Sequence, residues 1–226
     1  MLRIFILSPA RTSGKRASLL LSEKAEFQLA KRLRSRAGVP IGEVFSFLSG
    51  LYFRGKYTYS KHFGQPPAGL AAQYVITSDA GLMDAEESVS LERLKAFADV
   101  PIDPLEPRYT KPLQRSIGVL ARSIPPSCEV VLLGSIATNK YTDILLEGFG
   151  SRLIFPQEFV GRGDMSRGGV LLRAVGADKE LEYVSLTAVA SRRGERPPKL
   201  PALKRNQGKN LQPNSTESTR RRSSIK

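Results

Sequence analysis

The sequence is poor in the residues that build disulfides and metal sites, with one cysteine, one histidine and no tryptophan in 226 residues. The lone Cys128 cannot form an internal disulfide, and it stands directly before an apolar run, which predicts a buried thiol rather than a nucleophile. The lone His62 excludes a metal site made of several histidines. We therefore expect no metal and no other cofactor.

Long hydrophobic runs are also missing. No segment approaches the ~18 apolar residues of a membrane span, and Pro9 and Arg11 interrupt the first apolar stretch before a signal peptide could form. These absences predict a soluble cytoplasmic protein with no membrane partner. The length and the 41% content of hydrophobic residues are sufficient for one domain with a substantial core.

Acidic residues are fewer than basic ones, with 21 Asp and Glu against 35 Lys and Arg, so the net charge is +14. Residues 191–226 alone hold 11 of the basic and two of the acidic residues, and therefore +9 of that charge. Because this segment is rich in Pro, Ser, Asn and Arg, we predict a disordered basic tail after an α/β domain at residues 1–190. Such a tail can contact nucleic acid, although a solvated arm that aids solubility explains the charge equally well.

Short apolar runs alternate with helical patterns along the first 190 residues. Strands are predicted at residues 3–7, 74–77, 130–133 and 152–155. Helices are predicted at residues 22–33, 41–52, 110–123 and 138–147. A terminal β-hairpin is predicted from residues 170–175 and 181–189, across a turn at 176–180. This order predicts the α/β class, with a single mixed sheet, helices packed on it and the hairpin at its end.

Three polar loops attract attention because ligands of open α/β sheets bind at the carboxyl ends of strands. The first loop, residues 8–16 (SPARTSGKR), carries Arg11, Lys15 and Arg16 among small hydroxyl and glycine residues. Guanidinium groups and free backbone N–H groups together suit a bound anion. The alternative is a solvated basic turn.

The second loop, residues 134–141 (GSIATNKY), lies between an apolar strand and a predicted helix. Free N–H groups at a helix start attract phosphate, and Lys140 adds a full positive charge. Plain helix capping by Thr138 or Asn139 is the alternative. The phosphate-binding candidates here are Ser135, Thr138, Asn139 and Lys140.

The third loop, residues 161–169 (GRGDMSRGG), holds Arg162 and Arg167 among four glycines. Glycine permits close approach of a ligand to the backbone, and two guanidinium groups can each make paired contacts to phosphate. Asp164 is expected to orient one of them through a salt bridge. A flexible lead-in to the hairpin is the alternative.

Aromatic and basic residues alternate over residues 52–62 (YFRGKYTYSKH), where Arg54 and Lys56 stand among tyrosines. Rings for base stacking beside cations for the backbone suit single-stranded nucleic acid, although tyrosines near a helix end are equally often half-buried core. Just before this segment, residues 38–42 (GVPIG) have the small-residue form of a helix-hairpin-helix turn or of an ordinary turn between helices.

The start of the chain, ILSPARTS at residues 6–13, resembles the ISPAKT signature of the YaaA-like peroxide-stress proteins. Later segments follow in a similar order: an aromatic piece around residues 53–57, a strand entering an AGL turn at 74–82, and an Arg-Gly piece at 166–169. The resemblance covers residues 1–190. It implies a cytoplasmic α/β protein of the stress response that binds DNA through a positively charged cleft and a helix-hairpin-helix element. By this resemblance, the cleft would be lined by Arg11, Lys140, Arg162 and Arg167.

The sequence therefore predicts a nucleic-acid-binding protein, with DNA favoured over RNA, whose sheet-edge loops bind phosphates while the tail adds unspecific attraction. The alternative is an enzyme acting on a nucleotide or nucleic acid, with the same loops holding the substrate and Asp79 or Asp164 as acid and base. A third possibility is an assembly partner of another nucleic-acid complex.

Overall fold

The computed structural model describes residues 1–137 and 139–187, together with residues 197, 198 and 200. Its strands are β1 (Arg3–Leu7), β2 (Val39–Pro40), β3 (Gln73–Ile76), β4 (Leu82–Asp84), β5 (Ser88–Val89), β6 (Glu129–Leu133), β7 (Leu153–Pro156) and β8 (Tyr183–Ser185). Its α-helices are α1 (Lys15–Leu21), α2 (Gln28–Arg34), α3 (Ile41–Ser49), α4 (Leu51–Phe63), α5 (Leu91–Asp99), α6 (Pro107–Ser123), α7 (Asn139–Phe149) and α8 (Asp164–Gly176).

Six strands form one mixed sheet in the order β4-β3-β1-β6-β7-β8, and β2 and β5 form a separate antiparallel pair. The four inner strands are parallel, whereas β4 and β8 are antiparallel to their neighbours at the two edges. The predicted fold class, a mixed sheet with helices packed on it, is confirmed. None of the helices in the described part of the chain is long and apolar enough to cross a bilayer.

The two central strands are β1 and β6, and both are buried on both faces. Residues 4–7 of β1 and 130–133 of β6 have no exposed surface. Successive side chains of a strand point to opposite faces, so an uninterrupted apolar run is what a parallel strand covered by helices on both sides requires. The chain passes from β1 to β3 on one side and later enters β6 on the other. A crevice therefore lies outside the carboxyl ends of β1 and β6, where the strand order reverses.

The predicted terminal hairpin is wrong in its first strand. Residues 170–175 belong to α8, whose residues Val170, Leu171 and Ala174 are buried at helical spacing. A short apolar run cannot be assigned to strand or helix by periodicity alone, and the packing of α8 against α4 decides for the helix. The second strand is present as β8, which pairs antiparallel with β7.

Two other predicted segments divide into shorter elements. The helix predicted at residues 22–33 is split into α1 and α2, and Ser22 follows the last residue of α1 instead of capping a helix start. The helix predicted at residues 41–52 ends at Gly50, whose φ of +66° is the left-handed conformation that glycine adopts readily. The turn at 38–42 contains β2 and leads into α3. The predicted tail at 191–226 lies outside the described residues, except for 197, 198 and 200.

Helix α8 lies very close to α4, and glycines make this approach possible. A side chain on Gly168 would come within 2.8 Å of the Leu51 carbonyl oxygen and of Tyr52 Cα, and one on Gly55 within 2.9 Å of the Gly168 carbonyl oxygen. Gly168 of the third loop therefore serves helix packing, because that predicted loop is largely the first turns of α8. This packing fixes α4 beneath the carboxyl end of β1.

Candidate functional site

A cleft of about 830 Å³ occupies the crevice at the carboxyl ends of β1 and β6. Its volume is within the range of ~300–1,000 Å³ that is usual for small-ligand pockets. The first and second loops predicted from the sequence both line it, together with parts of α4, α7, α8 and the segment after α5. The lining residues used below are Ser8, Arg11, Tyr52, Lys140, Tyr141 and Asp164.

The first wall is residues 8–13, which leave the end of β1. Arg11 is exposed, and its Nε donates to Ser13 Oγ at 3.3 Å. Thr12 Oγ1 donates to the Phe97 carbonyl at 3.4 Å, which ties this loop to α5. Ser8 is almost buried and forms the inner end of the wall. The loop thus presents one free guanidinium face to the cleft.

The second wall is the turn from β6 into α7. Tyr141 Oη donates to the Ser135 carbonyl at 2.8 Å, and the Lys140 side chain is exposed. A Cβ atom on Gly134 would lie 2.8 Å from Tyr141 Oη and 2.9 Å from Ser8 Cβ, so only glycine lets the two walls meet. Asn139 is exposed at the start of α7, and Thr138 lies outside the described residues. Burial raises the pKa of Tyr141 to about 12, opposed by a hydrogen bond with Ser8.

Lys56 of α4 lies under the first wall and is only 1% exposed. Its Nζ donates to the Ser8 carbonyl at 2.6 Å and to Ser8 Oγ at 2.9 Å, and it stands 4.6 and 4.5 Å from the ring centres of Tyr52 and Phe53. Burial lowers the pKa of Lys56 to about 7, with Asp164 raising it and Arg167 lowering it further. At neutral pH a substantial share of this amine is therefore uncharged.

Arg167 of α8 is also buried, with 7% of its surface exposed. Its Nε and one terminal nitrogen donate to the Phe159 carbonyl at 3.3 and 3.2 Å, and the other terminal nitrogen donates to Asp164 at 3.4 Å. The salt bridge expected for Asp164 is therefore present. Lys56 and Arg167 were predicted as direct phosphate ligands, but both donate to carbonyls inside the fold, which corrects their role to support of the cleft.

Tyr52 is buried beside these two cations, and its Oη makes no hydrogen bond with any described residue. Burial raises its pKa, and the charge of Arg167, whose guanidinium lies near this hydroxyl outside good hydrogen-bond geometry, opposes that shift. A buried hydroxyl without a partner is uncommon and has a free energy cost of about 1–3 kcal/mol. Tyr52 also lines the cleft, but its hydroxyl oxygen is enclosed by the fold.

The remaining predicted cations lie outside the cleft but next to it. Arg16 and Arg54 line a second depression, which shares Ser49 with the cleft. Arg162 lines a third depression, which shares Asp164 with the cleft. Lys15 is exposed at the first residue of α1. The third loop thus borders the cleft through Asp164. Arg162 lines the neighbouring depression, and Arg167 is buried in the fold.

Asp79, predicted as an acid or base, lies elsewhere. It accepts two hydrogen bonds from Arg93, at 2.8 and 3.1 Å, and lines a different depression beside α6. The Asp79 carboxylate is thus paired with Arg93 and does not line the cleft. Within the described residues, no group of three or more His, Cys, Asp and Glu side chains is arranged so that it could hold a metal ion.

Sequence reasoning included Ser8 and Tyr141 in the two loops without assigning them a role, and it missed the burial of Lys56. The sequence carried one usable signal for Lys56, since Tyr52, Phe53, Lys56 and Tyr59 recur at the spacing of one helix face. No family model, curated protein or solved structure matches this chain. The resemblance to YaaA-like proteins therefore stays a prediction.

Proposed function

We propose that this protein binds nucleic acid, with one phosphate-bearing nucleotide unit in the cleft and the strand continuing over the neighbouring depressions. The observation that carries the proposal is that Arg11 and Lys140, from two different sheet-edge loops, line one cleft of nucleotide size. A phosphate between them would receive charge-assisted hydrogen bonds from both sides.

The neighbouring surface favours a strand over a free mononucleotide. The cleft and the second depression meet at Ser49, and the second and third depressions meet at Met165. Arg16 and Arg54 line the second depression and Arg162 the third, so cations recur along a connected path. A nucleic acid backbone, with its regular phosphates, fits such a path. DNA is the favoured ligand from the sequence resemblance, with RNA as the competing class.

The test is binding of a short fluorescent single-stranded DNA, its RNA counterpart and a mononucleotide, measured by anisotropy at several salt concentrations. The double variant Arg11→Ala/Lys140→Ala should weaken oligonucleotide binding at least about 100-fold, because each charge-assisted contact contributes about 1.5–3 kcal/mol. The slope of log K against log salt should become shallower by about 0.7, the value for one phosphate of a single strand.

The matched control is Lys111→Ala/Arg122→Ala, which removes the same two charges from exposed positions on α6. This control should change affinity only slightly, since the cations lie outside the three depressions. Equal losses in the two double variants would show that net charge, and not the cleft, drives binding, and would overturn the proposal.

A second candidate is an enzyme acting on a nucleotide or nucleic acid. The observation that favours it is the hydrogen bond between Lys56 Nζ and Ser8 Oγ, since Ser8 lines the cleft.

A further inference from the structure

The contact between Ser8 and Lys56 joins a hydroxyl on the cleft wall to an amine that the fold encloses completely. Ser8 is 6% exposed and lines the cleft, whereas Lys56 lies behind it. Lys56 Nζ is 2.9 Å from Ser8 Oγ. A molecule in the cleft can therefore reach the hydroxyl while the amine stays shielded from water.

The enclosure of Lys56 is not explained by an ion pair. Within the described residues its Nζ contacts the two oxygens of Ser8 and the faces of Tyr52 and Phe53, and no carboxylate lies within salt-bridge distance. Removing an ammonium group from water without a counter-ion is unfavourable, and such a group responds by losing its proton. A neutral amine beside a hydroxyl is the arrangement of a base next to a nucleophile.

A comparable serine shows what is particular to Ser8. Ser78 follows the carboxyl end of β3, is 4% exposed, and donates its hydroxyl proton to the Phe97 carbonyl at 2.7 Å. It has the burial and the strand-end position of Ser8 but no lysine partner. The single hydrogen bond of Ser78 to a backbone carbonyl is enough to satisfy a buried hydroxyl. The buried lysine beside Ser8 is therefore not needed merely to satisfy the Ser8 hydroxyl.

We propose that Ser8 is a nucleophile and Lys56 its base, acting on the phosphorus of a phosphodiester held in the cleft. Only the class of substrate rests on the proposed function, through the Arg11 and Lys140 cations beside the hydroxyl. The assignment of nucleophile and base stands on the geometry of the pair.

The reaction has two displacements. First, Ser8 Oγ forms a bond to phosphorus and gives its proton to Lys56 Nζ, while the P–O bond to the leaving alcohol breaks and the alkoxide takes a proton from water in the open cleft. Second, water attacks phosphorus and releases one proton to solvent. The bond from phosphorus to Ser8 then breaks, and Oγ recovers its proton from Lys56. No oxidant, reductant or metal enters this balance.

The charged and titratable groups around Lys56 come from three helices. Asp164 and Arg167 of α8 act on it in opposite directions, Tyr52 of α4 lies against it, and Tyr141 of α7 shares Ser8 with it. The tyrosines have raised pKa values and stay neutral up to high pH. The lowered pKa of Lys56, about 7, then predicts nucleophile activation that rises with pH up to this value and levels off above it.

A fluorophosphonate probe tests the nucleophile directly, because attack by Oγ forms an O–P bond and releases fluoride. Trypsin places Ser8 alone among serines in the peptide of residues 4–11, so the adduct is assigned by mass. We expect the probe to label this peptide in the folded wild type and not in Ser8→Ala. In Lys56→Met the labelling rate should be at least about 100-fold lower than in the wild type. The rate in the wild type should rise about tenfold per pH unit below pH 7 and be flat above pH 8.

Ser78 is the internal control, and its peptide should stay unlabelled. Absence of the adduct on residues 4–11, a rate independent of pH between 5 and 9, or labelling of Ser78 at the rate of Ser8 would each overturn the inference. If Lys56→Met does not fold, the pH profile of the wild type decides alone.

The substrate class is tested with bis(p-nitrophenyl) phosphate and p-nitrophenyl acetate. Release of p-nitrophenol from the diester by the wild type and not by Ser8→Ala supports the assignment, and turnover of the acetate alone overturns it. Failure here differs from failure of the proposed function, because a wild type that binds oligonucleotide through Arg11 and Lys140 but leaves the diester intact loses only the catalytic assignment. Conversely, the probe reports on Ser8 even if Arg11→Ala/Lys140→Ala leaves binding unchanged.

Discussion

Lys140 lines the cleft and Lys56 lies behind its first wall, and the surroundings of the two amines are opposite. Lys140 is exposed on the wall, whereas Lys56 is enclosed and its ammonium form is disfavoured. Arg11 and Arg167 repeat the contrast, since Arg11 is exposed and Arg167 donates to the Phe159 carbonyl within the fold. The exposed Arg11 and Lys140 are the proposed ligand contacts, whereas the buried Lys56 is the proposed base and the buried Arg167 supports the cleft. The predictions below separate the buried pair from the exposed pair.

Replacing Arg167 by alanine gives the largest expected effect on stability. The change leaves the buried Phe159 carbonyl without these donors and removes a packed side chain, so the free energy of unfolding should fall by about 2–4 kcal/mol. Thermal or urea unfolding measures the change. Arg54→Ala, at an exposed position of α4, is the control and should change stability by less than about 0.5 kcal/mol. Equal stability of the two variants would contradict a supporting role for Arg167.

The close contact of α4 and α8 is tested by Gly168→Ala. The new methyl group would lie 2.8 Å from backbone atoms of Leu51 and Tyr52, so the helices must separate and about 1–3 kcal/mol of stability should be lost. Gly176→Ala, at the end of the same helix and with nothing within 4 Å of its Cβ position, should instead stabilise by about 0.5–1 kcal/mol. Effects of the same sign at both sites would argue against the packing described.

The charge state of Lys56 is tested by the pH dependence of stability. The folded protein lowers the pKa of this amine from 10.5 to about 7, so the unfolded chain binds more protons between these values and stability rises with pH. Unfolding free energies of wild type and Lys56→Met should therefore diverge in favour of the wild type above pH 7, by at most about 1.4 kcal/mol per pH unit. Parallel curves between pH 7 and 9.5 would contradict a lowered pKa.

The smallest expected effect is that of Tyr52→Phe. Its hydroxyl has no hydrogen-bond partner among the described residues, so removing it should leave stability unchanged or raise it by less than about 1 kcal/mol. Tyr141→Phe is the comparison, because it removes a 2.8 Å hydrogen bond to the Ser135 carbonyl and should destabilise by about 1 kcal/mol. If Tyr52→Phe destabilises as much as Tyr141→Phe, the Tyr52 hydroxyl has a structural partner.

The central strands, helices α3, α6 and α7 and the two loops that line the cleft could be predicted from the sequence, because apolar runs and strand-end turns are local signals. The roles of Lys56 and Arg167 could not, since a charged residue in a basic segment resembles a surface cation until its neighbours are known. The sequence also did not show that residues 170–175 are helical, because the packing of α8 on α4 decides between helix and strand there. Of the four residues that the resemblance assigns to one cleft, Arg11 and Lys140 line it, whereas Arg162 and Arg167 do not.

The proposed difference between the exposed cations, which bind the ligand, and the buried cations, which do not, is tested most directly by a crystal structure of the protein with a short single-stranded DNA bound. We expect a phosphate within hydrogen-bond distance of both Arg11 and Lys140. Lys56 and Arg167 should keep their hydrogen bonds to the Ser8 and Phe159 carbonyls, respectively. A strand bound away from this cleft, or one contacted directly by Lys56 or Arg167, would contradict it.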